Sequence, residues 1–278
     1  MTLLSMTALL WSGALTAGLV GALTGLGGGV VIVPMLALGF GVDVRYAIGA
    51  SLLSVIATSS GAAAAYVKEG ITNIRVGMFL EVATTMGAIA GALVATHVST
   101  SAVAILFGAV LLGSVATSFR EPPGKSGDGG EDRLAGWLGL EGSYRTALEE
   151  VHYRARRVPL GFGVMVLAGA LSGLLGIGSG ALKVIAMDNV MRLPFKVSTA
   201  TSNFMIGVTA AASAGIYVTR GYIDPALAFP VVLGALPGAL VGSRLLPRIH
   251  SNVLRLLFAG VIGILAVEML YKGITGRL

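Results

Sequence analysis

In this chain of 278 residues, 55% of the side chains are apolar and only 12% are charged. A soluble domain carries about 25% charged residues, so the composition is that of a membrane protein. The net charge of +6 reads as lysine and arginine holding loops on the cytoplasmic side, not as a nucleic-acid surface, and the lack of cysteine excludes disulfides and thiolate metal sites.

The first element, residues 5–40, is one apolar run interrupted by GLGGG at 25–29. Residues 1–24 lack a positive n-region, so they read as retained structure and not as a cleaved signal. Three ordinary spans are expected next, at 46–67, 74–96 and 100–119. No Asp, Glu, Lys or Arg lies between Arg45 and Lys68, or from Val82 to Phe119. Each span has the roughly 20 residues needed to cross a bilayer. Residues 120–157, which include EPPGKSGDGGEDR, form a solvated polar connector with a surface helix expected at 143–157. The pattern then returns. A second interrupted run covers 158–191, broken by GIGSG at 176–180, and spans follow at 197–219, 225–246 and 251–271.

The return is a duplication. Shifted by 151 residues, Gly18, Gly25, Gly27 and Gly29 fall on Gly169, Gly176, Gly178 and Gly180. Gly70, Gly87 and Gly91 fall on Gly221, Gly238 and Gly242, while Ser51, Thr58, Tyr66 and Phe107 meet Ser202, Thr209, Tyr217 and Phe258. The expected fold is therefore an all-α membrane protein of two duplicated modules, 1–119 and 158–278. Each module is a glycine-broken helical hairpin plus three transmembrane helices, a plan typical of secondary transporters.

A straight helix over 5–40 would be about 54 Å long, too long for a core of roughly 30 Å. Glycine costs a helix interior about 1 kcal/mol, so each cluster marks a break, with new helices starting near Val30 and Ala181. If the runs enter and return, each module crosses three times and the halves are inverted repeats. That arrangement puts fourteen lysines and arginines on the connector side and four opposite, Lys183 aside; four crossings per half would give twelve and six. The positive-inside rule favours inversion, with a cytoplasmic connector and both termini outside.

Non-helical backbone in a bilayer is tolerated only where protein buries it or water reaches it. The first amides of a new helix lack intrahelical partners and carry partial positive charge. Two such starts meeting at the midplane would form an anion site from Gly27, Gly28, Gly29, Gly178, Ser179 and Gly180. Lys183, in the first turn of the second return helix, lies about 13 Å in from Arg192 and would balance the anion's charge; the alternative is a snorkelling lysine. Ser51, Thr201, Ser202 and Asn203 are candidate hydrogen-bond donors, or they bond between helices. Glu81 either carries a proton or pairs with Arg75 at the interface, and the pairs Gly87–Gly91 and Gly238–Gly242 would let helices pack closely.

Soluble chemistry finds little footing. GLGGG lacks the full G-x-G-x-x-G spacing, and GGGVVIVP lacks the Gly-Lys-Ser/Thr ending of a phosphate loop. No paired carboxylates, Ser–His–Asp set or metal-ligand cluster appears in the spans, so no enzyme, cofactor or metal is expected.

GLGGGVVIVPML following GALTG, with its echo SGLLGIGSGALKV, resembles the sulfite exporter family TauE/SafE over both modules. The echo departs from the motif at Ser179, Lys183 and Ile185. The resemblance implies a polytopic protein that moves sulfite, sulfoacetate or related sulfur anions across the bacterial inner membrane. It also implies motif residues Gly25, Gly27, Gly28, Gly29 and Pro34, with Gly176, Gly178, Ser179 and Gly180. The expected partners are a small anionic substrate and the lipid bilayer, without nucleic acid; a homodimer is left open. The rival readings are a transporter or channel for another oxyanion or a metal cation, and an intramembrane enzyme.

Overall fold

The computed structural model describes residues 3–25, 27–95, 97–118, 133–145, 150–176, 178–246, 249 and 251–276. Helix α1 (Leu3–Thr24) stops at the first glycine cluster. A short α2 (Gly29–Pro34) then runs into a π-helical turn at Met35–Gly39. Three long helices follow: α3 (Val44–Lys68), α4 (Ile74–Ala95) and α5 (Thr100–Ser118). After α6 (Arg133–Trp137) and strands β1 (Glu141–Arg145) and β2 (Glu150–Arg154), the same order recurs. Helix α7 (Val158–Leu175) is followed by α8 (Gly180–Ile185) with its π turn at Ala186–Val190, then α9 (Phe195–Thr219), α10 (Pro225–Leu245) and α11 (Ser251–Thr275).

Local chemistry sets several ends. The Asp43 carboxylate accepts from the Arg45 amide at 2.8 Å and Asp224 from the Ala226 amide at 2.9 Å, capping α3 and α10. Pro225 adds a preset φ at the first turn of α10.

Among the described residues, five helices are long and apolar enough to cross a bilayer: Ser5–Thr24, Val44–Lys68, Ile74–Ala95, Val158–Leu175 and Pro225–Leu245. On α4, Met78, Val82, Met86 and Leu93 are all exposed at helical spacing, and on α10 Phe229, Leu233 and Leu240 are exposed. Apolar faces of this size suit lipid and not water. Helix α9, expected as a span at 197–219, is not among the five. Ser198, Thr199, Thr201, Ser202 and Asn203 dilute its apolar content, and all five are buried against protein. It is a central helix, with α3 packed along it.

The pairing of α1 with α10 matches that of α4 with α7. A Cβ at Gly87 would run into the Val166 carbonyl and one at Gly169 into the Thr84 carbonyl. The equivalents 151 residues away do the same: Gly238 against the Leu15 carbonyl, Gly18 against Ala235. Backbones approach this closely only where side chains are absent, which is how helices associate in lipid.

The connector differs from expectation. Instead of a helix over 143–157, β1 and β2 form an antiparallel hairpin with Ser143 opposite His152. Burial along β2 alternates exposed and half-buried, the period of two that marks a strand. The Ala155 amide bonds to the Leu140 carbonyl at 2.9 Å, extending the ladder. The Asn73 amide nitrogen donates to the Tyr153 hydroxyl at 3.1 Å and to the Glu141 carbonyl at 3.4 Å, docking the hairpin on the start of α4. Of the expected connector 120–157, residues 120–132 and 146–149 lie outside the described residues.

Overpacking a tight contact costs about 1–3 kcal/mol or more. Gly87→Val is expected to lower the thermal unfolding midpoint in detergent, whereas Gly163→Val, on a face of α7 with nothing within 4 Å of the added carbon, leaves it unchanged.

Candidate functional site

Both interruptions are real breaks in the helices. Gly25, Gly27 and Gly28 have φ of 78°, 72° and 80°, and Gly176, Gly178 and Ser179 have φ of 66°, 69° and 51°. Such values are available to glycine without strain; Ser179, with a Cβ, is strained at its position. Helical bonding resumes at once. The Val31 and Ile32 amides bond to the Gly28 carbonyl at 3.0 and 3.1 Å, and the Lys183 amide to the Ser179 carbonyl at 2.9 Å.

The two breaks meet. A Cβ at Gly27 would lie 2.9 Å from Ile206 and 3.3 Å from Val55; one at Gly178 would lie 2.6 Å and 3.1 Å from the same two side chains. Val55 and Ile206 are themselves 151 residues apart. A carbon added to Gly29 would sit 3.2 Å from the Gly176 carbonyl oxygen. Gly27 to Gly29 and Gly178 to Gly180 are all buried, so the junction is closed to solvent.

Hydrogen bonds cross between the halves in a matched pair. The Ser51 hydroxyl on α3 donates to the Gly176 carbonyl at 3.0 Å, and the Ser202 hydroxyl on α9 donates to the Gly25 carbonyl at 3.0 Å. Ser202 also approaches the Gly180 carbonyl at 3.3 Å, and Thr58 donates to the Gly27 carbonyl at 2.8 Å. Breaking a helix strips carbonyls of their partners, and a buried unpaired carbonyl is costly. These hydroxyls satisfy the break. Behind them, Tyr66 donates to the Ala22 carbonyl at 2.9 Å and Tyr217 to the Gly173 carbonyl at 3.4 Å, again 151 residues apart.

The remaining candidates divide. The Asn203 side-chain nitrogen donates to the Ala22 carbonyl near the end of α1 and to the Thr199 carbonyl one turn back on α9, both at 3.2 Å, while its oxygen has no partner. Thr201 points elsewhere: its hydroxyl oxygen accepts from the Asn73 amide at 3.1 Å, near the connector hairpin. The Ser179 hydroxyl, at the second break, is buried without a partner, as are those of Ser172 and Thr199.

Lys183 neither snorkels nor stands free. It is fully buried, and its ammonium lies 3.3 Å from a carboxylate oxygen of Glu81, which is 7% exposed. Glu81 therefore pairs with Lys183 and not with Arg75, which is exposed. Three hydroxyls complete the cluster. Thr84 donates to Glu81 Oε2 at 2.9 Å, Thr85 to Oε1 at 3.1 Å and Thr209 to Oε1 at 2.6 Å. Lys183 in turn donates to the Thr209 hydroxyl. Buried charges persist only when paired and hydrogen-bonded, and here the requirement is met. The threonines were not anticipated. The available signal was two opposite charges, each alone deep in an apolar segment. Among the described residues no group of three or more His, Cys, Asp or Glu is placed to hold a metal.

Residues 10–269 match the family model described as Sulfite exporter TauE/SafE. The chain belongs to that family. TauE/SafE proteins are membrane transporters, not enzymes. Similar proteins include the probable membrane transporter protein YunE of Bacillus subtilis (strain 168), 27% identical over 94% of this chain and 96% of the relative. A probable membrane transporter protein of Xylella fastidiosa (strain 9a5c) is 24% identical over 98% of this chain and 97% of the relative. YjnA of Bacillus subtilis is 33% identical over 107 residues. No solved structure matches this chain.

Removing one member of a buried ion pair costs about 3–5 kcal/mol, whereas replacing both with apolar groups is often neutral. Glu81→Leu is expected to destabilise the protein strongly in detergent melts, and Glu81→Leu with Lys183→Met to recover most of that loss.

Proposed function

We propose that this TauE/SafE protein is a secondary transporter that exports a small sulfur-containing anion, sulfite or an organosulfonate, across the bacterial inner membrane by alternating access. Its halves are inverted repeats, and the anion sits where the two glycine breaks meet. The observation that carries this reading is the convergence of both breaks on Val55 and Ile206, with serine bonds exchanged between halves. Broken helices from two repeats, joined in the membrane core, are the usual construction of a transporter site.

The polarity of the junction favours an anion over a cation. The break carbonyls of Gly25, Gly27 and Gly176 already accept hydroxyl hydrogens, which lowers what they offer a cation. What the breaks offer instead is helix-start amides and the unpartnered Ser179 hydroxyl, with the Lys183 ammonium, paired to Glu81 in this conformation, on the same short helix. The junction is closed in this conformation, which corresponds to an occluded state. Opening it alternately to each side requires the halves to rock about α3 and α9. The family's name supports sulfite, and donors on several sides of the junction support a small oxyanion.

A hydrogen bond to a charged group contributes about 1.5–3 kcal/mol, so Lys183→Met is expected to weaken binding of labelled sulfite to the purified protein about tenfold to a hundredfold. Competition should rank sulfite and sulfonates above metal cations. Unchanged binding in that variant would remove Lys183 from the site. Inverted halves also put both termini outside, so a C-terminal reporter active only in the periplasm is expected to signal; a cytoplasmic C-terminus would contradict the inversion.

A further inference from the structure

We propose that Glu81 is the proton carrier of this transporter: the anion takes the place of Glu81 at Lys183, and the displaced carboxylate takes up a proton that travels with it. The inference rests on the anion-transport reading above and names its coupling ion.

The ion pair breaks the symmetry of the molecule. The serine and tyrosine bonds at the junction have counterparts 151 residues away, but this ion pair has none. The equivalents of Lys183 and Glu81 are Ile32 and Val232, and only the threonine recurs, as Thr58. Thr58 donates to the break carbonyl of Gly27, whereas Thr209 has turned to Glu81 and Lys183. One threonine thus closes a break in the first half and links the two charges in the second. The second half departs from the shared plan to hold one cation and one anion.

Charge balance then dictates the coupling. The empty carrier holds Lys183 and Glu81 as a neutral pair in the protein core. An arriving monoanion that bonds to Lys183 displaces Glu81 and leaves one uncompensated negative charge in a dry interior, which is strongly disfavoured. Protonation of Glu81 removes it, and the neutral acid keeps its hydroxyl partners Thr84 and Thr85. On the far side the anion leaves, the proton follows and the pair re-forms, so export runs down the anion's own gradient and against an inward pH gradient. Little else near Glu81 is placed to take this role. Of the helices packed against α4, α7 has no ionisable side chain, and α9 has only Lys196 in its first turn and Tyr217 near its last. On α4 itself Arg75 is exposed, and beyond Lys183 the return segment carries only Asp188, in the π turn.

The test uses labelled sulfite in proteoliposomes at mildly acidic pH, where sulfite is chiefly the monoanion, with flux taken above that of protein-free vesicles. One proton per anion makes transport electroneutral. An imposed gradient of about one pH unit is expected to sustain about tenfold accumulation, and a potassium diffusion potential to leave the flux unchanged. In E81Q net flux should ignore the pH gradient and follow the potential. Wild-type flux that follows the potential and ignores the pH gradient, or E81Q flux that still follows the pH gradient, overturns the inference. If E81Q does not fold, the wild-type measurements decide alone. No sulfite flux in wild type under any gradient overturns the sulfite reading itself, and this inference with it.

Discussion

The architecture depends on how a lipid-embedded helix can be broken without leaving carbonyls unpaired. Each break frees backbone groups that water cannot reach, and the bilayer has nothing to offer them. The solution is reciprocal. A serine from α3 closes the break of the second half, and a serine from α9 closes the break of the first. The 3.0 Å bond of each serine closes the break of the opposite half, so the bonds tie the halves together at the place where both segments are non-helical. The close glycine packing of α1 on α10 and α4 on α7 brings the broken segments into range.

On this matched scaffold the charged cluster is the departure. A neutral interior would be simpler to build, and a buried ion pair is weak evidence for stability because apolar replacements often serve as well. Its retention in a protein of a transporter family agrees better with use than with folding. The same holds for Ser179. It stands in the left-handed region where the first half has Gly28, and its hydroxyl is buried without a partner. Strain and an unsatisfied group at one residue of a break are what a site under functional constraint shows.

Much of this was legible in the chain itself, for a physical reason. Glycine clusters interrupting apolar runs have few other uses in a bilayer, and their recurrence at a fixed spacing announced the duplication. Both breaks fall where the clusters are. What was not legible depends on docking in space. Glu81 and Lys183 are 102 residues apart in sequence, and Arg75 was the nearer basic residue. Thr201 and Ser202 are adjacent in sequence, yet neighbours on a helix point about 100° apart. Ser202 reaches the break and Thr201 the Asn73 amide just before α4. The connector hairpin was missed because its strands are only five residues each, and the alternation of Val151 and Tyr153 with polar residues in β2 is too short to stand out. Docking on Asn73 adds two side-chain bonds to its own ladder.

The most direct measurement is a crystal structure of the protein with selenite, the heavier analogue of sulfite, located by the anomalous signal of selenium. The account predicts one strong peak between residues 27–29 and 178–180, within hydrogen-bonding reach of backbone amides. A peak found only on the aqueous surfaces, or density showing either break as continuous helix, would contradict it.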